Sequence, residues 1–86
     1  MAKITANGSH EIARWALTMR TEDHDWEVPV GSALLRSDGV VLRKSVIKGD
    51  RWTRAFKLRD RDESDSWKIE LASRALERRG YILRRV

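Results

Sequence analysis

The strongest structural signal in this chain is the run Leu34-Leu35-Arg36-Ser37-Asp38-Gly39-Val40-Val41-Leu42-Arg43. Asp-Gly between two β-prone runs predicts a β-hairpin, because both residues of a tight two-residue turn take positive φ angles. With such a turn, position 35 faces position 42 across the hairpin. Alternating side chains then divide between an apolar face with Leu35, Val40 and Leu42 and a basic face with Arg36 and Arg43.

A third strand is predicted over residues 52–59, after a turn at residues 48–51 in which Gly49 suits a type II′ connection. The three runs together predict an antiparallel β-meander. The period-2 pattern assigns to the apolar face Trp52, Phe56 and Leu58, and to the basic face Arg51, Lys57 and Arg59.

Residues 66–79 have the spacing of an amphipathic helix. The charged stretch 60–65 ends in N-cap residue types, and Gly80 follows the last turn, so both helix ends are marked. Residues 81–86 predict a short terminal strand or an ordered tail. The chain is thus predicted to be one α+β domain over residues 1–86, a β-meander with a C-terminal helix packed on one face. The side chains expected to meet in its core are Trp67, Leu71, Ala75 and Leu76 of the helix and Leu35, Leu42, Trp52, Phe56 and Leu58 of the sheet.

The N-terminal segment, residues 9–20, fits two structures equally well. A helix capped by Ser9 would bring together Ile12, Trp15, Ala16 and Met19. A strand would bring together Ala13, Trp15, Leu17 and Met19, with Asn7-Gly8 turning back from residues 3–6. The sequence leaves both structures open. Farther on, Pro29 limits residues 28–30 to an edge position or an extended entry.

Composition is typical of a small intracellular domain. Of the 86 residues, 41% are apolar and none is cysteine, which excludes disulfides and thiolate chemistry. The first residues are polar and form no leader pattern, and no apolar run nears the roughly 20 residues that span a bilayer. We therefore expect a cytoplasmic protein with no membrane partner.

The net charge of +5 is unevenly distributed. Residues 1–30 carry three basic and five acidic side chains, whereas residues 31–86 carry fifteen basic and eight acidic ones. The chain therefore combines a basic body, which attracts anions, with an acidic N-terminal loop, which repels them.

No group of residues has the pattern of a catalytic or metal site. His10 begins a partial zinc-protease motif, but Arg14 stands where the second histidine is required, and His24 is the only other histidine. Residues 22–25 have no glycine for a metal-binding turn, and residues 60–71 lack the glycine and the glutamate of a calcium loop. We expect a non-catalytic protein with no cofactor, no metal and no small-molecule substrate.

The basic face is the main candidate for function. It would contact phosphates with little sequence preference, as expected of a regulatory protein that binds nucleic acid or another anionic partner. The alternative is a protein–protein interaction module or inhibitor that uses Trp26, at the tip of the acidic loop. Because Trp52 and Phe56 are assigned to the core, the basic face is expected to lack an aromatic platform for bases. The predicted nucleic-acid-binding residues are Arg36, Arg43, Arg51, Lys57, Arg59, Arg84 and Arg85.

Two resemblances bear on these expectations. With a helix at residues 9–20, the order α-β-β-β-α resembles the double-stranded-RNA-binding domain. Only the topology is similar, because residues 60–65 are net negative where that family has a lysine cluster that binds phosphate.

Residues 9–15 (SHEIARW) and 37–44 (SDGVVLRK) resemble a class of small uncharacterised proteins of actinobacteria and their phages. That resemblance implies a strand at residues 9–20 and a phage or mobile-element origin, with no known activity to transfer.

Overall fold

The computed structural model describes residues 9–22, 26–47, 51–59 and 64–86. All five strands in these ranges belong to one antiparallel sheet in the order β4-β3-β2-β1-β5. The predicted α+β fold, a meander with one helix near the C-terminus, is confirmed, and a short strand follows the helix. The predicted turns at residues 7–8 and 48–50 and the connector at residues 60–63 lie outside the described residues. The elements are β1 (Glu11–Arg20), β2 (Glu27–Arg36), β3 (Val40–Ser45), β4 (Thr53–Lys57), α1 (Asp65–Arg78) and β5 (Ile82–Arg85).

The N-terminal segment is the strand β1 and not a helix. Alternate side chains, at Ala13, Trp15 and Leu17, are at most 5% exposed, as expected of a strand with one face against the core. β1 pairs with β2 on one side and with β5 on the other. Pairing on both edges satisfies the backbone of β1, and this tertiary context decides between the two structures that the local sequence allows.

The β2–β3 hairpin has a three-residue loop, so the register predicted for it is wrong by one residue. Leu35 pairs with Val41 and not with Leu42. Gly39 has a φ of 86°, but no non-glycine residue among those described has a positive φ, so Asp38 does not form the expected tight turn. Instead, the Asp38 carboxylate accepts a hydrogen bond from the backbone N–H of Val40 at 3.1 Å, and the Gly39 N–H donates to the carbonyl of Arg36 at 2.9 Å.

The shifted register changes which side chains share a face. A slip of one residue moves every side chain of a strand to the other face of the sheet. Val41 and Arg43 therefore lie on the same face as Leu35, and Leu42 lies on the opposite face. Among the described residues, the core cluster contains eight buried side chains: Ala13, Trp15, Leu17, Ala33, Leu35, Val41, Ala72 and Leu76. The assignment of Leu42 and Trp52 to this core is therefore wrong.

Helix α1 begins and ends where its signals predict, to within one residue. The Ser64 hydroxyl caps it by accepting from the backbone N–H of Trp67 at 3.3 Å, and Gly80 follows its C-terminus with a φ of 95°. The helix connects β4 to β5, at opposite edges of the sheet, and crosses one sheet face on the way. Ala72 and Leu76 are its buried residues, whereas Trp67 is 38% exposed and lies outside the core.

The opposite sheet face is covered by no helix in the described part of the chain, and we call it the open face. Pro29 lies in β2 beyond the residues that pair with β3, in keeping with its predicted edge position. None of the described helices is long and apolar enough to cross a membrane.

Candidate nucleic-acid interface

A row of open-face side chains runs across four strands of the sheet. Lys44 of β3 pairs with Ser32 of β2, Ser32 with Ala16 of β1, and Ala16 with Arg84 of β5. The two small side chains in the middle leave a shallow trough with a cation at each end. Lys44 and Arg84 lie three strand spacings apart, a distance of about 14 Å between their backbone positions across the sheet.

Trp52 lies on the open face, beside this row. Its ring centroid is 5.1 Å from the Lys44 ammonium nitrogen and 5.3 Å from the guanidinium carbon of Arg14. Because Arg14 belongs to β1 and Lys44 to β3, these two side chains and the indole together span β2, which runs between the two strands. Leu34 of β2, which pairs with Arg14 and Leu42, is only 7% exposed although it faces away from the helix. The assignment of Trp52 to the core, on which the expected lack of an aromatic platform depended, is therefore wrong.

The two cations that flank Trp52 differ in their own partners. Arg14 is held by Glu11 through two hydrogen bonds, at 2.7 and 3.1 Å, which raise the pKa of the guanidinium above its ordinary value. Lys44 forms no ion pair with any described residue. Lys44 therefore supplies the less compensated positive charge, and Arg14 supplies a planar group that Glu11 holds over the indole ring.

The trough continues toward β5 as a pocket of about 260 Å³, lined in part by Ala16, Ile82 and Arg84. Glu27 also lines it, and its carboxylate accepts a hydrogen bond from the Thr18 hydroxyl at 3.2 Å. This carboxylate repels phosphate but accepts hydrogen bonds from N–H groups. The open face therefore offers cations for phosphates, an aromatic ring for a base and one acceptor for a base edge.

The predicted nucleic-acid-binding residues do not form the single basic face that was expected. Lys57 and Arg84 lie on the open face, by their pairing with Val40 and Ala16. Arg51 and Arg59 are exposed and flank β4 at its two ends.

Arg36 and Asp38 form an ion pair at the end of the β2–β3 hairpin. The guanidinium donates to the carboxylate at 2.5 and 3.1 Å. That contact is the main cause that lowers the pKa of Asp38 from 3.8 to about 2, helped by the Val40 N–H. Arg36 thus has a carboxylate partner of its own and stabilises the hairpin.

Arg43 and Arg85 lie on the helix side of the sheet, so their assignment to the basic face is wrong. The shifted hairpin register moves Arg43, which donates a hydrogen bond to the Tyr81 hydroxyl at 3.0 Å. Arg85 pairs with Trp15 across β5 and β1, and its guanidinium carbon lies 5.9 Å from the Trp15 ring. These two arginines and the open face belong to different surfaces.

Sequence reasoning missed Arg14 and Lys44. A signal for Arg14 was present in the strand alternative for residues 9–20, since alternation puts position 14 opposite the buried Trp15. The position of Lys44 on the open face could be predicted only from the correct hairpin register.

Trp26, proposed as a protein contact, is 61% exposed and directly precedes β2. The described residues contain no group of three metal-ligating side chains.

Comparison with known proteins adds no relative. No family model, no curated protein and no solved structure matches this chain.

Proposed function

We propose that this protein binds single-stranded nucleic acid on the open face, with one base stacked on Trp52 and the backbone phosphates held by Lys44 and Arg84. The observation that carries the proposal is the position of Trp52, an indole on a sheet face without a covering helix in the described part of the chain. Of the two cations over its ring, Arg14 is held by Glu11, whereas Lys44 has no ion pair among the described residues. Movement of the Lys44 ammonium to a phosphate would therefore leave space over the ring for a base. Sheets that bind single strands combine these two features, a stacking ring and positive charge along the backbone path.

A single strand fits this surface better than a duplex. Stacking on Trp52 requires a base with an exposed face, and duplex bases are already stacked on one another. The open face also has no projecting helix or ribbon that would enter a major groove. A duplex would therefore meet only the cations.

Charge on the open face sets the expected salt dependence. Lys44, Lys57 and Arg84 form no ion pair within the described ranges, so three phosphate contacts are available. Neutralising three phosphates of a single strand gives a slope of about −2 for log K against log salt concentration. Stacking is insensitive to salt, so Trp52 should contribute equally at low and high salt.

Fluorescence anisotropy with a labelled oligonucleotide of mixed sequence tests the proposal. Trp52→Leu keeps an apolar side chain but removes the stacking ring, and should weaken binding by about 5- to 100-fold at every salt concentration. Lys44→Gln should weaken binding and make the salt slope shallower by about 0.7. Arg78→Gln, on the helix side of the molecule, removes the same charge as Lys44→Gln and serves as the matched control with little effect.

Three results would overturn the proposal. They are no binding of single strands at low salt, a duplex bound as tightly as the single strand, and a Trp52→Leu variant with the affinity of the parent. Nucleic-acid binding that survives Trp52→Leu but is lost in Trp26→Ala would locate the contact at the end of the sheet instead.

A further inference from the structure

A second basic pocket lies on the helix side of the sheet, between the end of α1 and the edge strand β4. Its volume is about 240 Å³, and Ala55 and Leu76 provide its apolar lining. Three arginines border it, and none of the described residues that line it is acidic. The polar residues that line it are Arg43, Thr53, Arg54, Arg79 and Tyr81. Of these, Arg54 pairs with the open-face Leu42, so it is not counted among the ligand-binding side chains.

The β-bulge in the β3–β4 pair shapes the edge of this pocket. The register shifts between Val41 and Leu42, so β4 has one extra residue, Ala55, between the partners of these two. A bulge interrupts strict alternation, so two neighbouring residues can face the same side of the sheet. Ala55 and Phe56 both pack against the core on the helix side, and Ala55 lines the pocket.

Arg43 carries a partly buried charge with no carboxylate beside it. The residue is half-buried, and among the described residues its side-chain N–H groups have one hydrogen-bond partner, the Tyr81 hydroxyl, with the Tyr81 ring centroid 6.0 Å from the guanidinium carbon. A guanidinium has five N–H donors, so most of them have no protein acceptor among the described residues. Partial burial of an uncompensated charge is unfavourable, and an anion in the pocket would relieve it.

Arg79 completes the pocket from the helix end. Its guanidinium carbon lies 4.7 Å from the Phe56 ring centroid, which fixes the side chain over the sheet. The last helix carbonyls do not require it, because the Leu76 carbonyl accepts from the backbone N–H of Tyr81 and the Glu77 carbonyl from that of Gly80. Since Tyr81 accepts from Arg43, its own hydroxyl proton is available to a ligand.

We propose that this pocket binds a phosphomonoester through Arg43, Arg79 and Tyr81. Planar guanidinium groups bind phosphate oxygens in pairs, and the hydroxyl donates to a third oxygen. The volume suits a phosphate group with a small substituent and is below the range of about 300–1,000 Å³ typical of drug-sized ligands. The site is separate from the open face, so each proposal can fail without the other.

Titration by nuclear magnetic resonance with inorganic phosphate and with ribose 5-phosphate tests the inference, against sodium chloride at equal ionic strength. The backbone amides of Thr53 and Tyr81 should shift with a saturable dependence on phosphate and not on chloride. Arg43→Gln and Arg79→Gln should each weaken binding about tenfold or more, since each removes charge-assisted hydrogen bonds. Arg78→Gln, one residue from Arg79 and outside the pocket, is the control and should change the affinity by less than twofold.

Because Arg79 is exposed at the end of the helix, Arg79→Gln should leave the fold intact even if Arg43→Gln disturbs packing. Equal responses to phosphate and chloride, or a phosphate affinity unchanged in Arg79→Gln, would overturn the inference. The phosphomonoester could be the 5′ end of a nucleic-acid strand or a small phosphorylated compound. Oligonucleotides with and without a 5′-phosphate distinguish these two ligands. If the 5′-phosphate raises the affinity for the oligonucleotide and Arg79→Gln abolishes this increase, the ligand is a strand end. If ribose 5-phosphate binds saturably but the 5′-phosphate does not raise the affinity for the oligonucleotide, the ligand is a small phosphorylated compound. Both results support the site.

Discussion

The replacement of Trp15 by alanine should be far more damaging than the replacement of Trp52. Trp15 is 1% exposed, in the centre of β1, with β2 and β5 on either side and other core residues around it. Truncating a buried tryptophan to alanine costs about 3–5 kcal/mol, because the lost transfer free energy is joined by the cost of an enclosed cavity. A domain of this size has a total stability of about 4–13 kcal/mol, so Trp15→Ala removes a large share of it.

Trp52→Ala removes a ring of the same size from the open face. The ring is half-buried, and its removal leaves a depression that water fills in place of a sealed cavity. Loss of apolar contact with the sheet and of two cation–π contacts should cost about 2 kcal/mol. The sequence pattern alone, which assigns Trp52 to the core, predicts the larger cost for this residue.

Urea denaturation followed by far-ultraviolet circular dichroism measures both costs without relying on tryptophan emission. The m-value should stay constant, so that a shift of the midpoint reports stability. We expect Trp52→Ala to remain folded with a lowered midpoint, and Trp15→Ala to be unfolded or to have a much lower midpoint. A free energy of unfolding lowered as much by Trp52→Ala as by Trp15→Ala would refute the assignment of the core to the helix side.

Three further predictions concern the hairpin and the helix. Gly31→Ala should cost several kcal/mol by chemical denaturation, because a Cβ would lie 2.1 Å from the backbone carbonyl oxygen of Lys44; a variant within 1 kcal/mol of the parent would contradict this strand contact. The pKa of Asp38 is lowered to about 2 by Arg36, so its contribution of about 1–2 kcal/mol is present above pH 4 and is lost as the pH falls from 4 to 2. Acid titrations of the parent and of Asp38→Asn should therefore differ in that window, and superimposable curves would count against the ion pair. Ser64→Ala should lower stability by about 1 kcal/mol through loss of the N-cap, and Ser64→Asp, which keeps a capping oxygen, should restore it.

The features that the sequence predicted well are those determined by neighbouring residues. The ends of α1 follow from Ser64 and Gly80, whose capping roles depend only on the adjacent turn. The burial of Trp15 follows from alternation in the strand alternative for residues 9–20. The choice of strand over helix was beyond local reasoning, because β5, a partner of β1, comes more than sixty residues later.

The position of Trp52 could not be predicted either, because it depends on interactions across strands. Its side chain is assigned to the core by strict alternation from Phe56, but the bulge at Ala55 adds one residue between them. After that shift, Phe56 lies opposite Val41 on the helix side, and Trp52 lies near Lys44 on the open face. A bulge depends on pairing with the neighbouring strand and leaves no mark in the strand's own pattern.

The difference between one predicted basic face and the two separate anion sites that we propose comes from the loop of the β2–β3 hairpin. If Asp38-Gly39 formed a two-residue turn, Arg43 would join the open face and the second pocket would lose its half-buried guanidinium. The Asp38 carboxylate instead accepts from the Val40 N–H, which stabilises a three-residue loop and turns Arg43 toward Tyr81. Lys44, one residue later, is turned toward Trp52 by the same register. The conformation of this turn thus determines on which side of the sheet Arg43 and Lys44 lie.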